Sequence, residues 1–357
     1  MALHGGNIHK IFRESGKEVL DYSANINPLG FPKSLRKNII KNIDGLINYP
    51  DPNYIDLKES ISKKINISVD NIVVGNGATE LIFLAIRTLN PKNVLIVCPT
   101  FAEYERALKE VSANISYFEL TKGKNEFYLD KEKFLKELRK NYDLVILCNP
   151  NNPTGTFVNK KIFSEVLEFC KNYKTKFLID EAFIDFMKNG EKKSYKNFGD
   201  KRIIIIRAFT KFYGIPGLRL GYSIVCDKIL KKNMEERKEP WTINTFASNF
   251  GEIFLKNVKY EEKTLKSLFK EKKRFYKKIS KMKNIEYFKT ETNFILVKLK
   301  NINGKILYEK MLDEGILIRR CDNFKFLNDS YVRFAIKDKK KNKIMLKILK
   351  KIEHYSC

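Results

Sequence analysis

The chain reads as an α/β protein, with a large domain on a mainly parallel sheet covered by helices and a smaller α+β domain after it. Three observations predict this. Short β-branched or apolar runs begin at Ile72 and recur at Val94–Cys98, Leu144–Cys148, Phe177–Ile179, Ile203–Ile206 and Tyr222–Val225. Helical patterns such as Ala102–Val111 and Lys160–Asn172 separate most of them, and such alternation implies parallel strands joined by crossover helices. After Trp241 and Asn244 a lysine-rich helical stretch runs to about Lys283, then alternating segments follow at Asn293–Leu299, Ile316–Arg320 and Tyr331–Ile336. The expected division is an N-terminal arm over 1–44 that partly completes the small domain, a large domain over 45–240, and a small domain over 241–357.

Length and composition suit that division. A chain of 357 residues with 43% hydrophobic content has enough apolar surface for two unequal cores. The formal charge of +27 would concentrate polyanions, yet the lysines are spread along the chain, with modest clusters near Lys270–Lys281 and Lys337–Lys351. A solvated lysine-biased surface explains that spread better than a nucleic-acid-binding arm does. No nucleic-acid partner is expected, and the field suits a small doubly anionic substrate. Cys98, Cys148 and Cys226 end apolar runs, as buried reduced thiols do. His4, His9 and His354 do not pair with cysteines at metal-binding intervals, so no metal is expected. The start MALHGGNIHK lacks the apolar core of a signal peptide, and no apolar run is long enough to span a bilayer. A cytoplasmic protein with no membrane partner is the expectation.

Taken in order, the segments place their chemistry at one edge of the sheet. His4-Gly5-Gly6-Asn7 permits close backbone approach, and Asp21-Tyr22-Ser23-Ala24-Asn25-Ile26-Asn27-Pro28-Leu29-Gly30 marks an irregular loop. A basic helix at about Lys33–Ile43 precedes Asn48-Tyr49-Pro50-Asp51-Pro52, a stiff turn that displays Tyr49. IVVGNGATEL then passes from strand through Gly75 and Gly77 into a helix whose first turn, Ala78-Thr79-Glu80, offers free N–H groups to a phosphate. In open α/β sheets ligands bind at the carboxyl ends of the strands, and Phe101, Asn152, Asp180 and Lys211 all fall there.

Two of these segments are chemically pointed. In LIDEAF, Asp180 ends a buried strand and needs a cationic or hydrogen-bonding partner. In IIIIRAFTKFYGIPGLRLGY, Lys211 follows a buried run in an apolar loop. Desolvation there lowers an amine's pKa, as a Schiff-base lysine requires. Eight positions on, Arg219 lies in a glycine-bracketed turn and can fork onto a phosphate. A lysine with a phosphate clamp suggests pyridoxal 5'-phosphate (PLP).

Together GNGATE, PTFAEY, NPNNPTG, DEAF and FTKFYGIPGLRLGY resemble the fold type I PLP-dependent transferases, in the class I/II aminotransferase branch near histidinol-phosphate aminotransferase. The resemblance runs nearly end to end. It implies that Lys211 carries the cofactor covalently, Asp180 pairs with the pyridine nitrogen, Asn152 bonds the phenolic oxygen and Phe101 stacks on the ring. Arg219, Thr210 and the Ala78–Thr79 backbone would hold the phosphate, and Tyr49 would reach the phosphate of a neighbouring subunit, which implies a homodimer. Arg319 and Arg333 match the branch's substrate-binding arginines, with His4, Gly5, Asn25 and Asn152 closing the pocket. HGGN, YPDP, the FAEYERAL helix, DEAFIDF and the PW pair narrow the resemblance to decarboxylases of phosphorylated amino acids. Phe183 replaces a tyrosine usual in the aminotransferases, and Ala208 replaces a phosphate-binding serine. A transaminase reading and a non-enzymatic polyanion-binding reading are the alternatives, and the last leaves the PLP pattern unexplained.

Overall fold

The computed structural model describes residues 4–353. Strands β1 (Ile72–Gly75), β2 (Asn93–Cys98), β3 (Asn114–Glu119), β4 (Leu144–Cys148), β5 (Lys176–Asp180), β6 (Ile203–Ala208) and β7 (Gly221–Val225) form one sheet. Its spatial order is β1, β7, β6, β5, β4, β2, β3. All neighbours are parallel except β7, which runs antiparallel to both β1 and β6. The sheet is therefore mainly parallel, as expected, with one reversed strand let into it. Strands β1, β4, β6 and β7 are buried along their whole length, which is why they read as unbroken apolar runs. Strand β3 was not foreseen: it lies at the sheet edge and is mostly half-buried, so NISYFE carries a mixed pattern.

Side chains alternate between two cores. Leu95, Val145, Leu147, Ile179 and Ile205 enter one, together with α1 (Ile55–Ile65). Ile96, Ile146, Leu178, Ile204 and Ile206 enter the other, with α2 (Gly77–Leu89) and α3 (Glu103–Glu110). The first core continues past Trp241 through Ile243, Ala247, Phe250 and Phe254. Here α4 (Phe250–Lys256) lies so close to α1 that a Cβ on Gly251 would stand 2.7 Å from Ser60 Cβ. We propose on that packing that the domain division falls inside the following helix, α5 (Val258–Ile279), and not at residue 241.

A third core belongs to the small domain. Strands β8 (Ile285–Tyr287), β9 (Phe294–Leu299), β10 (Arg319–Arg320) and β11 (Tyr331–Ala335) form an antiparallel sheet in the order β8, β9, β11, β10. Phe275 and Ile279 of α5 pack on Ile295, Val297, Val332 and Phe334, with Met345 and Leu349 of α6 (Lys339–Glu353). Tyr22 joins this core, and Leu20–Asp21 pairs in parallel with Ile316–Leu317. The two domains meet at the loop after β4, where the Glu291 N–H donates to Gly155 O at 2.9 Å. Gly155 has φ +74°, and a Cβ there would stand 2.0 Å from Thr290 Oγ1. Among the described residues, no helix is long and apolar enough to cross a membrane.

Candidate active site

A cavity of about 400 Å³ lies at the carboxyl edge of the large sheet, walled on the far side by the small domain. Phe101, Asn152, Asp180 and Lys211 all line it. Lys211 sits on the helical turn Phe209–Phe212 that directly follows β6. Burial pushes its amine down to about 8, Arg219 and Arg333 add to the effect, and Asp180 and Asp21 oppose it. The turn is strapped from behind by the N-terminal loop: Asn27 donates its N–H to Lys211 O at 3.0 Å and its Nδ2 to Phe212 O at 2.7 Å.

Asp180 faces Lys211 from the end of β5. Burial raises its carboxyl above the ordinary range, against the pull of two donors: Tyr104 Oη to Oδ2 at 2.6 Å and Ala182 N–H to Oδ1 at 2.8 Å. Asp180 forms no ion pair among the described residues, so the carboxylate is held by neutral donors and aimed without a cation of its own. Phe101 stands edge-on to Tyr104, with centroids 5.7 Å apart.

One end of the cavity is a cradle for an anion. Ala78 and Thr79 begin α2, where the first-turn N–H groups have no partner within the helix. Gly77 has φ +82°, and a Cβ there would lie 2.6 Å from Arg219 Nη2, so only glycine lets the guanidinium settle on the turn. Arg219 adopts φ +60° and makes no ion pair among the described residues. Thr210 lines the cavity and is buried, while Ala208 contributes no hydroxyl.

The opposite end carries two arginines. Arg319 and Arg333 are directly opposed across β10 and β11, and both are buried. Like charges in that register repel, and Asp322 acts on Arg319 as a counter-charge. Arg333 donates to Asn152 Oδ1 and, at 2.6 Å, to Ser23 O, and burial pushes it down to about 10. Arg319 donates to Asn323 Oδ1 at 2.8 Å and lies over the Phe324 ring. Arg320 faces away from this cavity and pairs with Asp322. His4, Gly5 and Asn25 complete the wall, and Asn25 Oδ1 is buried without a hydrogen-bond partner among the described residues.

Of the residues expected at the site, Tyr49 alone does not line the cavity. It is 79% exposed and lies tilted against Trp241 with centroids 4.7 Å apart. The sequence reading missed Tyr104, Glu103, Asn323, Phe324 and Asn27. Tyr104 carried no local signal: it stands in the first turn of α3, and its partner Asp180 comes from a separate strand. Cys226 is half-buried, not buried as its apolar run suggested, because it lies just past the end of β7.

This fold and this lysine-centred cavity define a class. Residues 17–349 match the family model for aminotransferase class I and II, and the chain belongs to that family. More particularly, it is 33% identical over 354 residues to a threonine-phosphate decarboxylase from Salmonella typhimurium, covering 98% of this chain and 96% of that protein. It is 34% identical to the adenosylcobalamin biosynthesis bifunctional protein CobDQ of Leptospira interrogans, over 95% of this chain and 40% of that longer protein. The crystal structure of a histidinol-phosphate aminotransferase from Clostridium acetobutylicum superposes with a TM-score of 0.88 at 40% identity, covering 94% of this chain and 99% of that one. The cavity fits pyridoxal phosphate, the cofactor this family implies: an anion cradle at Gly77–Thr79 and Arg219, a depressed amine at Lys211, and a buried carboxylate at Asp180 that makes no ion pair among the described residues.

Proposed function

We propose that this protein is a PLP-dependent carboxy-lyase that converts L-threonine O-3-phosphate to (R)-1-amino-2-propanol O-2-phosphate and CO2, a step of cobalamin biosynthesis. The observation that carries the reading is the pair of opposed, buried arginines, Arg319 and Arg333, beside a lysine whose amine is pushed down to about 8. A substrate with both a phosphate and a carboxylate relieves their mutual repulsion. When bound, the cofactor supplies an aldehyde for the substrate amine and a ring that withdraws electrons from Cα. Arg219, Thr210 and the Ala78–Thr79 N–H groups would hold its phosphate, Asp180 would accept from its ring nitrogen, Asn152 would donate to its phenolic oxygen, and Phe101 would pack on its face. Arg319 and Arg333 would fix the substrate's anionic groups and so present the Cα–carboxylate bond for cleavage, with Asn25, Gly5 and His4 closing the space around it. That bond breaks, CO2 leaves, and Lys211 delivers a proton to Cα.

A homodimer belongs to the same proposal. Ile40, Ile43, Leu46 and Ile47 are between 51% and 88% exposed next to Tyr49, which supports a subunit contact that carries Tyr49 toward the partner's phosphate cradle. A soluble cytoplasmic setting is part of this reading.

Transamination of histidinol phosphate is the second reading, favoured by the likeness to the Clostridium acetobutylicum structure. One experiment separates them. PLP-loaded protein is given O-phospho-L-threonine, with CO2 and the amino-alcohol phosphate measured, and separately histidinol phosphate with a 2-oxo acid. Faster transamination of histidinol phosphate than decarboxylation of phosphothreonine would overturn the proposal.

A further inference from the structure

Glu103 is a buried carboxylate in the wall of a cavity whose other demands are for cations. Its side chain is 5% exposed, and burying it is costly unless it is paired. His4 Nε2 lies 2.7 Å from Glu103 Oε1, and Arg106 Nη1 lies 3.3 Å from Oε2. Arg106 is 66% exposed, so its grip is screened by water. The imidazole is the less exposed of the two partners at 43%, and it leans on the Phe101 ring with centroids 5.3 Å apart. The backbone beyond it is pinned: Gly6 N–H donates to Ser23 Oγ at 2.7 Å, and a Cβ on Gly5 would stand 2.3 Å from Ser23 O. His4 therefore has one seat at the cavity mouth, and Glu103 makes it.

Neither cofactor nor substrate has a use for Glu103 directly. Asp180 already serves the ring nitrogen, and a free carboxylate beside an anionic ligand would repel it. We infer that Glu103 is a specificity-determining positioning residue that holds His4 as a two-sided donor, one nitrogen on the carboxylate and the other on the substrate's phosphate. Only an imidazole carrying hydrogens on both nitrogens donates in two directions. With Nε2 on the carboxylate, the pair offers its other ring nitrogen to a phosphate monoester while gaining nothing from the unphosphorylated amine. This rests on the reading of the substrate as a phosphorylated amine. It adds that the phosphate is recognised partly through an acidic residue that never touches it.

The test is equilibrium binding by spectral titration of PLP-loaded protein with two ligand pairs: O-phospho-L-threonine against L-threonine, and histidinol phosphate against histidinol. Glu103→Gln should weaken the phosphorylated member about tenfold, as loss of a charge-assisted contact does, and leave the unphosphorylated member within about twofold. In a His4→Ala background the same substitution should do nothing further, because residues acting through one contact are not additive. Equal weakening of both members, or a second tenfold loss on top of His4→Ala, would overturn the inference while leaving the proposed function intact. A wild-type protein with no preference for the phosphorylated members would overturn the proposed function and the inference together. Should Glu103→Gln fail to fold, His4→Gln is read in its place, and a retained phosphate preference counts against the inference.

Discussion

Lys211 is controlled less by its own partners than by what surrounds it. Burial is the first cause of its lowered amine, and Arg219 and Arg333 are the next. The rate at which cofactor-free protein captures PLP should therefore rise through a midpoint near pH 8. Arg333→Ala removes one of the like charges, so its midpoint should move upward, and a midpoint unchanged by that substitution would show the guanidinium has no hold on the amine. The same shift has a stability sign. The folded lysine releases its proton before the unfolded one does, so cofactor-free protein should gain stability as pH rises from about 8 toward the ordinary value of 10.5. Denaturant midpoints across that window would show it. Tyr104 is the other residue with leverage, since its hydroxyl is one of two donors to Asp180. Tyr104→Phe should weaken PLP retention by roughly tenfold to a hundredfold, from loss of a bond worth about 1.5–3 kcal/mol to a charged group, while leaving the fold in place. Lys211, Asp180 and Arg219 were legible in the sequence because each is chemically odd where it stands. Tyr104 was not, since a tyrosine in a helix is ordinary until the strand that faces it is known.

At the level of elements, the cradle depends on two turns meeting without side chains between them. Gly77→Ala would place a methyl group where the Arg219 guanidinium lies and would hold alanine at φ +82°. Strain of about 1–2 kcal/mol follows from the backbone alone, and PLP affinity should fall more steeply than thermal stability does. Gly217→Ala, at a site with open space around it, is the control expected to leave both unchanged. Most strands were readable because burial on both faces leaves a continuous apolar run. Strand β3 was not, because an edge position removes one of the two buried faces. Nor could the reversal of β7 be read, since a run buried on both faces carries no mark of direction.

For the whole molecule, the proposed dimer makes the sharpest demand. Tyr49 stands far out on the surface among exposed apolar side chains, which fits a role only if a second copy receives it. Mixing inactive Tyr49→Ala with inactive Lys211→Ala should restore part of the activity, because one site of each mixed dimer then holds both native residues. Recovery of none, with mixed dimers shown to form, would place both residues in one chain's site or deny Tyr49 a role. The sequence suggested two domains through a change of pattern near Trp241. It hid the packing of residues 245–256 on the first domain, since that contact depends on Gly251 meeting Ser60 across the interface.

The reversed strand β7 divides the labour of the cavity. Chain leaving β6 passes Lys211, turns, and comes back into the sheet past Arg219, so the anchoring amine and the phosphate arginine ride on a single short hairpin. Arg319 and Arg333 ride on a different body, tied to the first by contacts such as that between Glu291 and Gly155. The molecule thus resembles a vice, with cofactor residues on one jaw and substrate arginines on the other. Loosening the joint, by Thr290→Gly for instance, should slacken the grip on substrate and leave the grip on cofactor as tight as before.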